Sequence, residues 1–82
     1  MNVTLPARTA VDLYAVTGIA VGTQLKVSNL TTQDVRLSTT EAGLVNDHVV
    51  MGMYSAATNE TGDAEAWAIC VGGGGVNVRE IV

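Results

Sequence analysis

Leu25-Lys26-Val27-Ser28-Asn29 and Val35-Arg36-Leu37-Ser38 alternate apolar and polar side chains with a period of two, and no other feature constrains the chain as strongly. Successive side chains of an extended strand point to opposite faces, so such a run buries one face and wets the other, which a helical period of 3.6 does not allow. Val, Ile and Thr recur through the rest of the sequence, and these β-branched residues fit a pleated, half-buried surface. The runs Thr23 to Asn29 and Asp34 to Thr40 are separated by the short, largely polar Leu30-Thr31-Thr32-Gln33. This spacing predicts a β-hairpin, with Lys26 and Arg36 on its outward faces.

The same reading extends along the chain. Ala10 to Val16 is expected as a strand, with Val11, Leu13 and Ala15 on one face and Asp12 and Tyr14 on the other. Gly18 and Gly22 bracket a short buried segment, Ile19 to Val21. Glu41 to Asp47 is the one expected helical turn. His48 to Ser55 reads as a buried strand with Val49, Met51 and Met53 on one face and a close backbone approach at Gly52. Thr58 to Glu65 is a polar, acidic loop, Ala66 to Val71 a further apolar segment, and Val76 to Val82 a last strand after the run Gly72 to Gly75. The expected fold is all-β: a small β-sandwich or β-barrel of about six short strands. It occupies residues 1–82 as a single domain, and residues 1–8 are expected as an extended N-terminal arm in which Pro6 fixes φ and offers no ladder donor.

An 82-residue chain buries only roughly 60% of the surface its unfolded form exposes, so domains of this size usually carry a staple. A disulfide within the chain is excluded, because Cys70 is the only cysteine. One Cys and one His fall short of a closed zinc site. Oligomerisation is the staple that remains. Charged residues are 15% of the chain and hydrophobic ones 48%, against about 25% charged in a typical soluble domain. A surface so poor in charge is expected to be covered by neighbouring subunits. The net charge is -4, with Arg8, Lys26, Arg36 and Arg79 as the cations. That leaves no basic stripe for a phosphate backbone, and no nucleic-acid partner is expected. Met1 to Pro6 lacks the pattern of a signal peptide and no apolar run approaches membrane-spanning length, so synthesis in a cytosol and no membrane partner are expected.

Each candidate for chemistry has a plainer reading. Gly72-Gly73-Gly74-Gly75 could cradle a phosphate, but a P-loop ends in Lys and Ser or Thr before a helix, and here Val76-Asn77-Val78-Arg79 follows with strand alternation. A flexible connection is the better reading. Asp47 and His48 next to a nucleophile such as Cys70 would suit acid–base catalysis, yet adjacent strand residues point to opposite faces and Cys70 sits in an apolar run. Asn59, Glu60, Asp63 and Glu65 gather oxygen ligands without calcium-loop spacing and read as a solvated loop. Trp67, between Ala66 and Ala68, reads as a core or interface residue ahead of a sugar-stacking one. No catalytic residue, metal ligand or cofactor is expected.

The stretch Val11-Asp12-Leu13-Tyr14-Ala15-Val16-Thr17-Gly18-Ile19-Ala20-Val21-Gly22-Thr23-Gln24-Leu25-Lys26-Val27-Ser28-Asn29, followed by Val35-Arg36-Leu37 and later by Trp67-Ala68, resembles a pattern met in small structural proteins of tailed bacteriophages. The resemblance covers about half of the chain. It implies a virion protein, often trimeric: a capsid decoration (cement) protein, or a neck, tail or fibre-base component, made in the host cytoplasm. It carries over no catalytic or binding residue. The leading expectation is a homotrimeric decoration protein that binds the major capsid protein and stabilises the head shell. Contacts are expected at Leu5, Pro6, Arg8, Tyr14, Met51, Met53 and Trp67. A neck or tail adaptor is the alternative within the virion. A carbohydrate- or receptor-binding module using Trp67 with Tyr54 or Tyr14 is the alternative of another class.

Overall fold

The computed structural model describes residues 1–81. Eight strands and two short helices follow in the order β1 (Asn2–Leu5), β2 (Val11–Asp12), α1 (Leu13–Thr17), β3 (Leu25–Asn29), β4 (Val35–Ser38), α2 (Gly43–Asn46), β5 (Val49–Met51), β6 (Ala56–Thr58), β7 (Trp67–Ile69) and β8 (Gly74–Glu80). The strands form two four-stranded sheets, ordered β1-β8-β3-β6 and β2-β7-β4-β5, and all neighbours are antiparallel. The all-β expectation holds. The count of strands is higher than the expected six, and the sheets are separate layers around one core rather than a closed barrel.

Alternation sets which side chains the core receives. Val3, Leu5, Leu25, Val27, Val76 and Val78 enter from the first sheet, and Val35, Leu37, Met51, Ala68 and Cys70 from the second sheet and its margins, all in one cluster. Leu13 and Tyr14 of α1 close it. Every consecutive strand pair except β4–β5 lies in different sheets. The expected hairpin is therefore corrected: β3 pairs with β8 and β6, whereas β4 pairs with β5 and β7. Both alternating runs are strands, but the segment between them crosses from one layer to the other.

Asn29 explains how that crossing is held. Its side chain is buried, and Nδ2 donates to the carbonyls of Gln33 (2.7 Å), Gly52 (3.0 Å) and Met51 (3.1 Å). Its Oδ1 accepts from the Thr31 backbone N–H at 2.9 Å and from Thr31 Oγ1 at 3.0 Å. A buried polar side chain is tolerated when its partners are all supplied, and here they come from both turns that leave the first sheet on this side. A second network, at the other end of β3, holds α1. Tyr14 Oη donates to the Thr23 carbonyl at 2.6 Å and accepts from Asn59 Nδ2 at 2.9 Å, while Asn59 Oδ1 accepts from the Leu25 N–H at 2.7 Å.

Three further expectations are corrected. Ala10 to Val16 is not a continuous strand: after Asp12 the chain turns into α1, because the Asp12 carboxylate accepts from the N–H groups of Tyr14 and Ala15 and Gly18 ends the helix at φ 76°. Residues 1–8 are not a free arm. Asn2 to Leu5 pair with β8, and Val3 and Leu5 lie in the core. Pro6 to Arg8 then turn the corner into the second sheet, where Arg8 takes φ 56° and its N–H donates to the Cys70 carbonyl at 3.2 Å. The strand expected at His48 to Ser55 stops at Met51; Met51 is buried, but Val49 and Met53 are exposed. The helical turn expected within Glu41 to Asp47 is present as α2. The last strand begins at Gly74 and runs to Glu80, and Val82 lies outside the described residues.

Candidate interaction surface

The two outer faces of the layered pair differ in chemistry. On the first sheet the register aligns Asn2, Asn77, Ser28 and Ala56 across the strands, and beside them Arg79, Lys26 and Thr58. These side chains are polar or small. On the second sheet the central row is Val50, Arg36 and Ile69. Ser38 pairs with Trp67 one step along.

Helix α2 covers part of this second face. Ser38 Oγ donates to the Asp47 carbonyl at 2.9 Å and Arg36 Nη1 to the Leu44 carbonyl at 3.3 Å, which fixes the helix over the sheet. Leu44 is buried there yet stands outside the core cluster, so it packs on the outer side. Gly43 is required at this contact, because a Cβ on it would meet Ser38 Oγ and Thr40 Oγ1. What the helix leaves uncovered is a hollow of about 320 Å³ bordered by Asp34, Arg36, His48, Val50, Ile69 and Val71. Val50 and Val71 remain 52% and 51% exposed. A second hollow, about 220 Å³, opens between the sheets where Val49 faces Thr58 and Asn59. The corner from β5 to β6 adds Met53 and Tyr54, 59% and 66% exposed, with Tyr54 at φ 56°.

The residues expected as contacts fall into two groups. Leu5, Tyr14 and Met51 are core side chains and present nothing to a partner. Pro6 and Arg8 are exposed at the β1–β2 corner, Met53 at the β5–β6 corner, and Trp67 is half-buried on the second sheet. Trp67 Nε1 donates to Glu65 Oε1 at 2.8 Å. Along β7 the core takes the small series Ala66, Ala68 and Cys70, and the larger series Trp67, Ile69 and Val71 faces outward. That inversion was the signal for this surface: with sheets closely packed, the smaller alternate set fits inside.

The candidates for chemistry are dispersed. Cys70 is fully buried in the core, whereas the His48 ring is half-buried beside α2, its Nδ1 3.3 Å from the Gly43 carbonyl. Asp63 Oδ2 accepts from the Glu60 N–H at 2.9 Å and so closes its own loop. Gly73, at φ 82°, makes the turn out of β7, and Gly74 and Gly75 are the first residues of β8. Among the described residues every buried side-chain nitrogen and oxygen has a hydrogen-bond partner, and no three His, Cys, Asp or Glu residues are grouped to hold a metal ion. No helix among the described residues is long and apolar enough to cross a membrane. No protein-family model, curated protein or solved structure matches the chain.

Proposed function

We propose that the chain is a structural subunit that acts by docking: a homo-oligomeric β-module of a tailed-bacteriophage virion, which decorates and stabilises the head shell as a trimer. The observation that carries the docking part is the apolar outer face of the second sheet, where Val50, Ile69 and Val71 surround Arg36 on a chain with few charges to spare. The virion part draws its support from the resemblance of Val11 to Asn29 and Val35 to Leu37 to small phage structural proteins. The mechanism is mechanical. A protein that binds the assembled shell and not its dissociated subunits stabilises the shell by its binding free energy at each site. The β5–β6 corner, with Met53 and Tyr54 outward, supplies an apolar contact to the shell protein, separate from the outer face of the second sheet.

The test compares thermal rupture of heads with and without the protein, with occupancy seen by electron cryo-microscopy. Decorated heads are expected to rupture at higher temperature. Equal rupture temperatures would remove the cementing role, and density at the neck or tail in place of the shell would assign the adaptor role. Light scattering is expected to give about three times the 8.5 kDa of one chain. A glycan-binding role would need Trp67 and Tyr54 alone, since Tyr14 is buried with its hydroxyl engaged. Glycan binding that Trp67→Ala abolishes would replace the structural reading.

A further inference from the structure

Asp34 and Arg36 stand two positions apart at the start of β4 and border the same hollow, with Val50, Ile69 and Val71 as its apolar part. The guanidinium spends only Nη1 on the Leu44 carbonyl, and Arg has five N–H donors to give. A patch with an apolar centre and one charge of each sign is complementary to itself: rotate a copy onto it, and each Arg36 can meet the other copy's Asp34. The first sheet has the opposite property. Lys26 and Arg79 are direct register partners on its outer face, so two such faces laid together would gather four cations.

We propose that the outer face of the second sheet is the contact between copies of this chain, with Val50, Ile69 and Val71 at its centre and Arg36 of one copy paired with Asp34 of the next. The proposal rests on the homo-oligomer reading above and locates its interface. Laid face to face about a twofold axis the pair is made twice and closes a dimer, whereas in a threefold ring each copy turns Arg36 to one neighbour and Asp34 to the other, which is the arrangement the trimer requires; the mass distinguishes the two. A partner of a single charge sign, such as a nucleic acid or a strongly acidic surface, would gain nothing from a patch that holds Asp34 beside Arg36.

Sedimentation equilibrium of the full chain tests this. Wild type is expected to self-associate. Val50→Glu and Val71→Glu, both at outward and half-exposed positions, are expected to give folded monomers by circular dichroism. Asp34→Arg and Arg36→Asp are each expected to weaken association at least about tenfold, the scale on which one close charge pair acts at an interface. The double variant D34R/R36D is expected to return to within a few-fold of wild type. Disturbance of α2 through loss of the Arg36–Leu44 bond would not be rescued by changing Asp34, so rescue is specific to pairing between copies. An oligomer whose mass ignores Val50→Glu and Val71→Glu, or a double variant no tighter than the singles, overturns the proposed interface while leaving the homo-oligomer reading in place. A wild-type monomer up to about 100 μM overturns both; if Val50→Glu then also abolishes binding to heads, the face serves a foreign protein.

Discussion

Replacing Asn29 is the most informative single perturbation of this fold. Asn29→Ala removes the two Nδ2 hydrogens, which are shared among the carbonyls of Gln33, Met51 and Gly52, and the Oδ1 that receives Thr31. A net hydrogen bond is worth ~1 kcal/mol, and each buried group left without a partner costs ~1–3 kcal/mol. The carbonyls at the margin recover water, so the expected total is about 3–5 kcal/mol. That is a large share of the ~4–12 kcal/mol available to a domain of this length, and it corresponds to a fall in Tm of roughly 15–30 °C. Asn29→Asp separates shape from donor chemistry. It keeps the size and the Oδ1 acceptor but turns lone pairs toward three carbonyls, so it is expected to cost more than Asn29→Ala. Urea unfolding followed by Trp67 fluorescence measures both, and an unchanged slope would show that the denatured state is not involved. A loss below about 1 kcal/mol for Asn29→Ala, or a milder effect for Asn29→Asp, would refute the claim that this side chain ties the two sheets.

Four other outcomes follow from the same geometry. Tyr14→Phe leaves the Thr23 carbonyl and Asn59 Nδ2 without their shared partner and is expected to cost ~1–3 kcal/mol in urea unfolding, whereas Tyr54→Phe, at an exposed position, is expected to be neutral. Leu5→Ala is expected to cost ~2–5 kcal/mol by the same assay; a neutral result would restore the arm reading of residues 1–8. Gly43→Ala is expected to displace α2 from Ser38 and lower stability by ~1–3 kcal/mol, with loss of amide-exchange protection confined to residues 43–47. Cys70 is expected to resist a thiol reagent in the native state and to react only at the rate of opening.

The sequence disclosed the strands more readily than their partners. Strands Leu25 to Asn29 and Val35 to Ser38 form inside the runs Thr23 to Asn29 and Asp34 to Thr40 that alternation marks, because period two is a local property of the backbone. Their pairing is not local. A short polar link suits a hairpin and a crossing between layers equally well, and the choice falls to Asn29, which joins the Gln33 carbonyl within the link to the carbonyls of Met51 and Gly52, more than twenty residues away. Helix α1 was legible and passed over: Asp12 as cap and Gly18 as terminator mark a helix, but Val11, Leu13 and Ala15 also alternate. Strand β6, Ala56 to Thr58, carries no β-branched apolar residue and left no pattern to read. Of the outward side chains, Met53 and Trp67 were named as contacts, while Val50, Ile69 and Val71 were not, because His48 to Ser55 and Ala66 to Val71 read as apolar segments with no face assigned to a partner.

The pairing order of the first sheet has a consequence for how the chain can be made. Its centre is held by β8, which lies between β1 and β3, and the Met1 amino group donates to the Val78 carbonyl at 2.7 Å. A ribosome delivers β1 and β3 long before it delivers residues 74–80. Until then these two strands have an empty lane between them, and Val3, Leu5, Leu25 and Val27 lack half of the wall they pack against. Non-local pairing of this kind folds slowly, and a nascent chain that waits with open strand edges is exposed to the wrong neighbours. Strand β8 therefore acts as a latch: until residues 74–80 are delivered β1 has no neighbour in the sheet and β3 has only β6, so the first sheet closes over the core in one late step.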